Sequence, residues 1–504
     1  MVNPAPTGDV TAQSEARQVA QLVKDAARKI KSDKGTLPRG LSAKDAAAFL
    51  ERYYADAVEE DLLARTADDL AAGALAHLQA GARRKPHEHA IKVRSTSQSR
   101  AVVDIVAEDQ PFLVDSVTGE ILRRGYAVRF VVHPIIRVAR TNSGSLKSVA
   151  DQGEGVSESW MHFEVIGLDS PDDIEGLREG IESVLRDVTC AVTDWPAMRA
   201  QSGQIAAELR TDPPRGLGVA EVDETVEFLD WMADNHFTYL GYREYKLRKI
   251  RGRDHLEPVA GTGMGILREN QSRPTPRALP DAAARKAREK RLLILTKASS
   301  RATVHRTAYL DYVGVKTFNK KGDVIGERRF VGLLTSTAYR ERVENIPVIG
   351  QKMTEVIRKA GYEPGSHTAK DLRDVIESFP RDELLQARVD QILPVALAVV
   401  RLPERRQTRL FLRRDDYGRF FSALVFLPRD RYSTPVRLKM IDLLMTELGG
   451  TSFEYSTQSS ESPLARLEFV IRVPAEAAQE DLRPSGLPHC SARSSTRRAP
   501  GTTT

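Results

Sequence analysis

Two short stretches of this 504-residue chain have residue types that could hold a ligand, and a third invites comparison with a nucleotide cradle. The first is Asp109-Gln110-Pro111-Phe112, just ahead of an apolar helical pattern with Asp115 in its opening turn. Free N–H groups at a helix N-terminus can bind a carboxylate. The functional reading is an effector site, or a domain interface, at Asp109, Pro111, Phe112 and Asp115. The plainer reading is a proline-started helix whose Asp115 complements the dipole. The second is Thr296–Arg306, where Lys297, Arg301 and Arg306 stand among Thr296, Ser299, Ser300 and Thr303. It reads as anion or interface contacts, or as a solvated interdomain loop. The third is Gly261-Thr-Gly-Met-Gly265. Its last glycine comes one position too early for G-x-G-x-x-G, and Pro258 spoils the strand that should precede it, so it reads as a tight turn.

No other catalytic pattern stands out. There is no Gly-x-Ser-x-Gly elbow, P-loop or cysteine–histidine pair, and no residue is assigned to catalysis, cofactor binding or a metal. Cys190 and Cys490 are too few for a disulfide framework and lack ligand spacing. His87-Glu88-His89 lacks a third ligand and reads as an exposed polar segment. Net charge is +6, but Arg483, Arg493, Arg497 and Arg498 supply most of it at the end of the chain. The Lys246–Arg253 cluster has no interleaved aromatics, so nucleic acid is not an expected partner. The longest apolar stretch, Ile392–Leu402, is broken by Pro394 and Arg401, so no membrane span is expected. With no secretory signal and few cysteines, a cytoplasmic protein is expected.

The elements that must position these residues follow from periodicity. Ala16–Ile30 reads as an amphipathic helix and Leu41–Leu78 as helical in composition. Arg100–Ala107 is a strand, Leu113–Leu122 a helix ended by Gly125, and Ala127–Val132 a strand entering His133-Pro134. Asn142–Gly155 reads as a loop, Trp160–Leu168 as a strand, Pro171–Val188 as a helix capped by Ser170, and Thr189–Asp194 as a closing strand. That order is β-α-β-β-α-β, the ferredoxin-like split βαβ pattern used by ACT domains. Pro196–Gly218 reads as a linker. A mixed region follows, with a hairpin around Asn319–Asp323 and helices over Ile346–Ala360, Thr368–Ser378 and Arg381–Arg401. Strands at Arg409–Arg413 and Phe420–Leu427, a helix at Val436–Leu448, and strands at Ser452–Tyr455 and Leu467–Val473 make a second such module. It is expected to lack a helix and a strand, leaving its sheet unclosed with an exposed apolar face. The fold class is thus α+β: two ferredoxin-like modules flanking a mixed α/β middle domain, with a helical N-terminus. The expected segments are 1–40, 41–195, a linker at 196–220, 221–405, 406–481, and a compositionally disordered tail at 482–504.

Several blocks resemble the N-terminal region of the large bacterial NAD-specific glutamate dehydrogenases. Pro111–Glu120 and the strand ending in His133-Pro134 resemble the first ACT module of that family. Phe228–Tyr245, Gly261–Arg268, Thr296–Arg306, Gly326–Phe330 and Phe379–Leu384 resemble later blocks. Arg413–Phe420 and Pro428–Tyr432 resemble its second ACT module. The resemblance runs in order from about residue 45 to 480. It implies a Rossmann-containing catalytic region beyond this chain, with NAD as cofactor there and none bound here. The abrupt change after Asp481 is expected to be an out-of-frame or artificial ending. In ACT domains the loop before the first helix often binds an amino acid, which implies an effector near Asp109–Phe112. The expected function is the regulatory and assembly region of a dehydrogenase that converts glutamate and NAD to 2-oxoglutarate and ammonium. This chain alone is expected to be inactive. Its expected partners are an amino-acid effector, the catalytic region and further copies in a homo-oligomer. The alternative is a stand-alone ACT-type amino-acid-binding regulatory protein.

Overall fold

The computed structural model describes residues 8–32, 37–97, 99–149, 155–268, 278–363, 365–402, 407–458 and 464–474. They divide into two compact units. One takes residues up to Met198 together with Met264–Arg268 and Ser300–Leu310; the other takes the rest. The expected tail and the start of a helix at Ala475 lie outside the described residues.

The first unit begins with helices α1 (Gly8–Ser32), α2 (Ala43–Tyr53), α3 (Glu59–Leu63) and α4 (Ala67–Ala80). Ser42 caps α2, and Thr66 and Asp69 form a capping box on α4. Then come β1 (Ala90–Ser97), β2 (Arg100–Glu108), α5 (Leu113–Arg123), β3 (Ala127–Val132), β4 (Ile135–Arg140), β5 (Leu146–Val149), β6 (Val156–Ile166) and α6 (Pro171–Thr211). The sheet runs β1-β2-β6-β4-β5, with β3 beside the other half of β6. β3 and β4 are in effect one strand bent at His133-Pro134, since Trp160 N–H donates to the Pro134 carbonyl at 3.0 Å.

Successive side chains on a strand alternate between faces. Val106 and Trp160 therefore share the face that packs on α1, α2 and α4, through Ile30, Phe49, Leu50, Tyr53 and Leu78. Val103, Ile105, Phe163 and Val165 point to the opposite face and are also buried. Gly81, which ends α4, lets the Trp160 ring approach: a Cβ there would lie 2.4 Å from it.

Three expectations change here. Thr189–Asp194 is not a strand. α6 runs unbroken for 41 residues, so the expected linker is helical as far as Thr211, with Pro196 inside it. The β-branched residues around Cys190 mimic a strand, yet buried Val184, Val188, Ala191, Met198, Ile205 and Leu209 recur at helical spacing. The place beside β2 that a closing strand would fill is taken by β1, which comes earlier in the chain. The expected Asn142–Gly155 loop holds the short strand β5.

The second unit opens with α7 (Val219–Trp231), then β7 (Phe237–Ile250) and β8 (Arg253–Pro258). After the two-residue strand β9 (Met264–Gly265), which belongs to the first unit, come α8 (Asp281–Arg288), β10 (Leu293–Arg301), β11 (Tyr309–Phe318) and β12 (Val324–Leu334). The main sheet order is β10-β11-β12-β7-β8. The β11–β12 hairpin forms where expected: Asn319 Oδ1 accepts from Lys321 and Asp323 N–H, and Gly322 turns at φ +78°. Helices α9 (Ser336–Arg340), α10 (Ile349–Ala360), α11 (His367–Glu377), α12 (Arg381–Gln386) and α13 (Val389–Val400) follow. The expected helix over Arg381–Arg401 is therefore two helices, broken at Ala387-Arg388, where both residues are extended.

The last module contains β13 (Arg409–Arg414), β14 (Phe420–Pro428), α14 (Thr434–Glu447), β15 (Ser452–Gln458) and β16 (Leu464–Arg472). Its sheet order is β13-β14-β16-β15. This repeats β1-β2-β6-β3 of the first unit: a leading strand fills the outer place beside the first strand of the split βαβ. No further strand is needed to make four. The exposed apolar face expected here is covered as well. Phe421, Ala423, Val425 and Leu427 pack under α14, while Phe420, Leu424 and Phe426 on the other face are equally buried. Phe426 meets the Phe379 ring, and Arg413 on β13 forms a two-pronged ion pair with Glu383 on α12.

Candidate functional site

The turn before α5 gathers three of the four residues singled out there. Asp109 Oδ1 accepts from Ser159 Oγ at 2.7 Å, and Asp109 N–H donates to the Ser157 carbonyl. His133 Nε2 lies 3.3 Å from the same Ser159 hydroxyl. Because that hydroxyl proton points at a carboxylate, Ser159 is a structural bridge and not an activated nucleophile. Pro111 is exposed and stands outside the helix. The helix begins two residues later because Phe112 is left-handed, at φ +72°.

The chain itself covers this helix end. His305 stacks on Phe112 with ring centroids 4.8 Å apart and pairs with Asp115 at 3.5 Å. His305 N–H donates to Ser116 Oγ at 2.9 Å, and Thr303 Oγ1 donates to Asp187 on α6. Arg301 lies over the Tyr309 ring, and Arg306 is exposed. The segment carrying Arg301 and Arg306 therefore reaches the helix that carries Asp115, a contact between two stretches that the sequence reading treated separately.

Lys297 belongs to the second unit. Its ammonium lies 2.6 Å from Asp311 and 3.2 Å from Asp382. Burial would lower its pKa, but the two carboxylates outweigh that and hold it well above the usual lysine range. Leu334 N–H donates to the second Asp311 oxygen. This charge is already balanced from within.

Gly261–Gly265 is a turn. Gly265 N–H donates to Asp194 at 2.7 Å, Arg268 clasps the same carboxylate, and the next helix begins only at Asp281. The N–H that a phosphate would need is already donated.

The first unit also holds a polar cluster that the sequence reading missed. Asp104 and His162 are cross-strand partners on β2 and β6, and His162 Nδ1 donates to Asp104 Oδ1 at 2.7 Å. Arg94 pairs with the other Asp104 oxygen. His77 Nε2 donates to the Ile105 carbonyl at 3.1 Å, and its Nδ1 accepts from Tyr53 Oη at 2.8 Å. His77, Asp104 and His162 converge closely enough to resemble a metal-ligand set. Both His77 nitrogens are nevertheless engaged by Tyr53 and Ile105, and His162 and the Arg94 guanidinium sit on the carboxylate that a cation would need. The cluster is a satisfied polar core. Burial would raise the Asp104 carboxyl, but the His162 bond, the histidine charges and Arg94 outweigh it and hold it low, at about 2. Burial pushes His77 down to about 4. No neighbouring motif announces these residues; only the strand register brings them together.

Comparison with known proteins supplies the family. Residues 49–181 match the ACT1 domain of glutamate dehydrogenase, residues 346–405 its helical motif 1, and residues 409–487 its ACT2 domain. The chain belongs to the large glutamate dehydrogenases. It is 34% identical over 455 residues to the NAD-specific glutamate dehydrogenase of Halomonas elongata, covering 87% of this chain and 28% of that protein. The enzyme of the same name from Pseudomonas aeruginosa is 38% identical over 396 residues, 77% of this chain and 24% of its own. That of Mycobacterium tuberculosis is 33% identical over 410 residues, 79% of this chain and 24% of its own. The chain thus spans about a quarter of the length of these glutamate dehydrogenases. The two ACT matches fall on the two sheets with the same strand order, and the helical motif falls on α10, α11 and α13, which pack together. No described helix is long and apolar enough to cross a membrane.

Proposed function

We propose that this chain is the regulatory and assembly region of an NAD-dependent glutamate dehydrogenase. The reaction, glutamate and NAD to 2-oxoglutarate and ammonium, would take place on residues other than these. The observation that carries the reading is the repeated module: two four-stranded ACT-type sheets of one topology, each with its leading strand at the edge, joined by a mixed α/β body over 221–405. ACT modules fit a sensing role for an amino-acid effector. Exposed apolar side chains on edge strand β15 (Phe453, Tyr455) and on α14 (Leu438, Leu443) fit contacts between copies in a homo-oligomer. NAD would bind to the catalytic part of the enzyme and not to this one, in a cytoplasmic protein.

The test is an assay of the purified 504-residue chain with glutamate and NAD. No NADH should form above the blank; steady turnover would overturn the reading. Sedimentation of the same preparation checks the assembly part, with self-association expected at micromolar concentration and a strict monomer counting against it.

A further inference from the structure

Strand β7 outruns its sheet. β12 pairs with it as far as Lys246, and β7 continues beside β8 to a turn at Arg251-Gly252. Both turn residues have positive φ, +48° and +80°, as in the two-residue turns that match the twist of a hairpin. Side chains alternate along each strand, and directly paired residues share a face. Lys246, Arg248 and Ile250 therefore lie on one face of this ribbon together with Arg253, the partner of Ile250. All four are exposed, Ile250 by 43%. The acid on that face, Glu257, lies opposite Lys246 and pairs with Arg248 at 3.4 Å. Lys246 and Arg253 have no ion pair among the described residues.

The same unit carries a complementary face. Helix α7 buries Val222, Val226, Phe228 and Leu229, and it turns Val219, Asp223, Glu227 and Asp230 to solvent. It contains no basic residue. Asp230 pairs with Arg210, whereas Asp223 and Glu227 have no ion pair among the described residues. Val219, at the start of the helix, is 77% exposed.

The two faces match in spacing as well as in sign. Same-face residues repeat every ~6.7 Å along a strand, and positions four apart rise ~6 Å along a helix. With Ile250 set on Val219, Arg248 falls at Asp223 and Lys246 at Glu227. A nucleic acid would match the sign of the ribbon, but the ribbon face has no aromatic side chain for a base to stack on. It would also leave the acids of α7 unanswered.

We propose that the basic face of the β7–β8 ribbon in one copy of the chain docks along the acidic face of α7 in a second copy. Exposed ion pairs add little affinity singly. The charges set the orientation and speed of association, and Ile250 against Val219 is the apolar anchor. The proposal rests on the assembly reading above and names the surfaces that carry it.

The experiment is sedimentation velocity of the 504-residue chain at about 0.05 M and about 0.3 M salt, a range over which exposed charges become strongly screened. Self-association should weaken at least about tenfold at the higher salt. Lys246→Glu with Arg248→Glu, and in a separate chain Asp223→Lys with Glu227→Lys, should each weaken it about tenfold or more at low salt, with thermal melting unchanged. An equimolar mixture of the two altered chains should associate as the unaltered chain does, because each reversed ribbon meets a reversed helix. Altered chains that self-associate as well as the unaltered one put the contact elsewhere, which overturns the proposal and leaves the assembly reading standing. Two folded altered chains that stay apart when mixed overturn it as well. So does binding of a labelled RNA that the ribbon changes abolish while self-association is untouched. A strict monomer at low salt removes the assembly reading and the proposal together.

Discussion

Asp104 and His162 face each other across β2 and β6, and their hydrogen bond anchors a buried polar cluster beside the apolar side chains of the sheet. The cluster works only with its present protonation: Asp104 a carboxylate, His77 neutral with its proton on Nε2. Each member satisfies a group that would otherwise be buried without a partner.

His77 makes this cluster sensitive to acid. Its folded pKa lies near 4, below the ordinary 6.5, so the unfolded chain binds a proton that the folded one refuses. The stabilisation is full above pH 6.5 and is lost as pH falls towards 4. A shift of that size corresponds to about 3 kcal/mol. Urea unfolding at pH 7, 6, 5 and 4.5 should show stability dropping across this window. His77→Gln should be less stable at pH 7 and flatter below it. An unchanged slope in that variant would assign the acid sensitivity to other groups.

Glu158 supports the same sheet in a different way. Fully buried, it receives Arg84 at 2.7 Å and both prongs of Arg140, at 2.6 and 2.8 Å. Removing the shared carboxylate takes the ion-pair partner from buried Arg140 and leaves Arg84 only the longer contact to Glu108 at 3.6 Å. Glu158→Ala should cost about 3–5 kcal/mol in chemical denaturation, because an uncompensated buried charge is worse than none. Replacing all three residues with apolar ones should cost less than the single change. A loss below about 1 kcal/mol for Glu158→Ala would mean that water reaches the arginines.

How much of this was legible depended on the range of the interactions. Alternation marked β2, β6 and β14, since one or both of their faces are fully buried. It did not mark β1, where Ile91 and Val93 are only half-buried and Arg94–Ser97 are polar, as an edge strand permits. The β-branched residues near Cys190 imitate a strand because a short window cannot weigh the helical spacing of buried residues from Val184 to Leu209. The turn before α5 was recognised, but what covers it was not: His305 lies far along the chain, and no local pattern links it to Phe112. The His77, Asp104 and His162 cluster was invisible for the same reason. It exists only through strand register and the fold of α4 over β2.

The last module should be more protected than a sheet lacking its second helix would be. All nine residues of β14 are buried, and Arg413 and Phe426 tie the sheet to α12 and Phe379. Hydrogen exchange should find β14 and β16 among the slowest amides of the chain, with β13 and β15 faster at the edges. Uniformly rapid exchange over 409–472 would show that this sheet opens independently. Phe426→Ala should cost about 3–5 kcal/mol and speed exchange in β14 first.

Lys297 gives the sharpest test of how the second unit tolerates charge. With Asp311 and Asp382 on either side, its ammonium offsets part of the burial that raises the Asp311 carboxyl. Lys297→Met keeps most of the volume and removes the charge, so the two acids are left to repel each other. At pH 7 the variant should lose about 3–5 kcal/mol, the usual cost of breaking a buried pair. The sign of the pH effect then reverses for this site. In the wild-type chain, acid protonates the carboxylates that hold Lys297 and weakens the site. In Lys297→Met, acid neutralises the repulsion, so stability relative to wild type should recover as pH falls from 7 to 5. Adding Asp382→Asn to Lys297→Met should recover it at pH 7 too. If the double variant is no more stable than the single one, the lysine acts through packing of its stem and not through its charge.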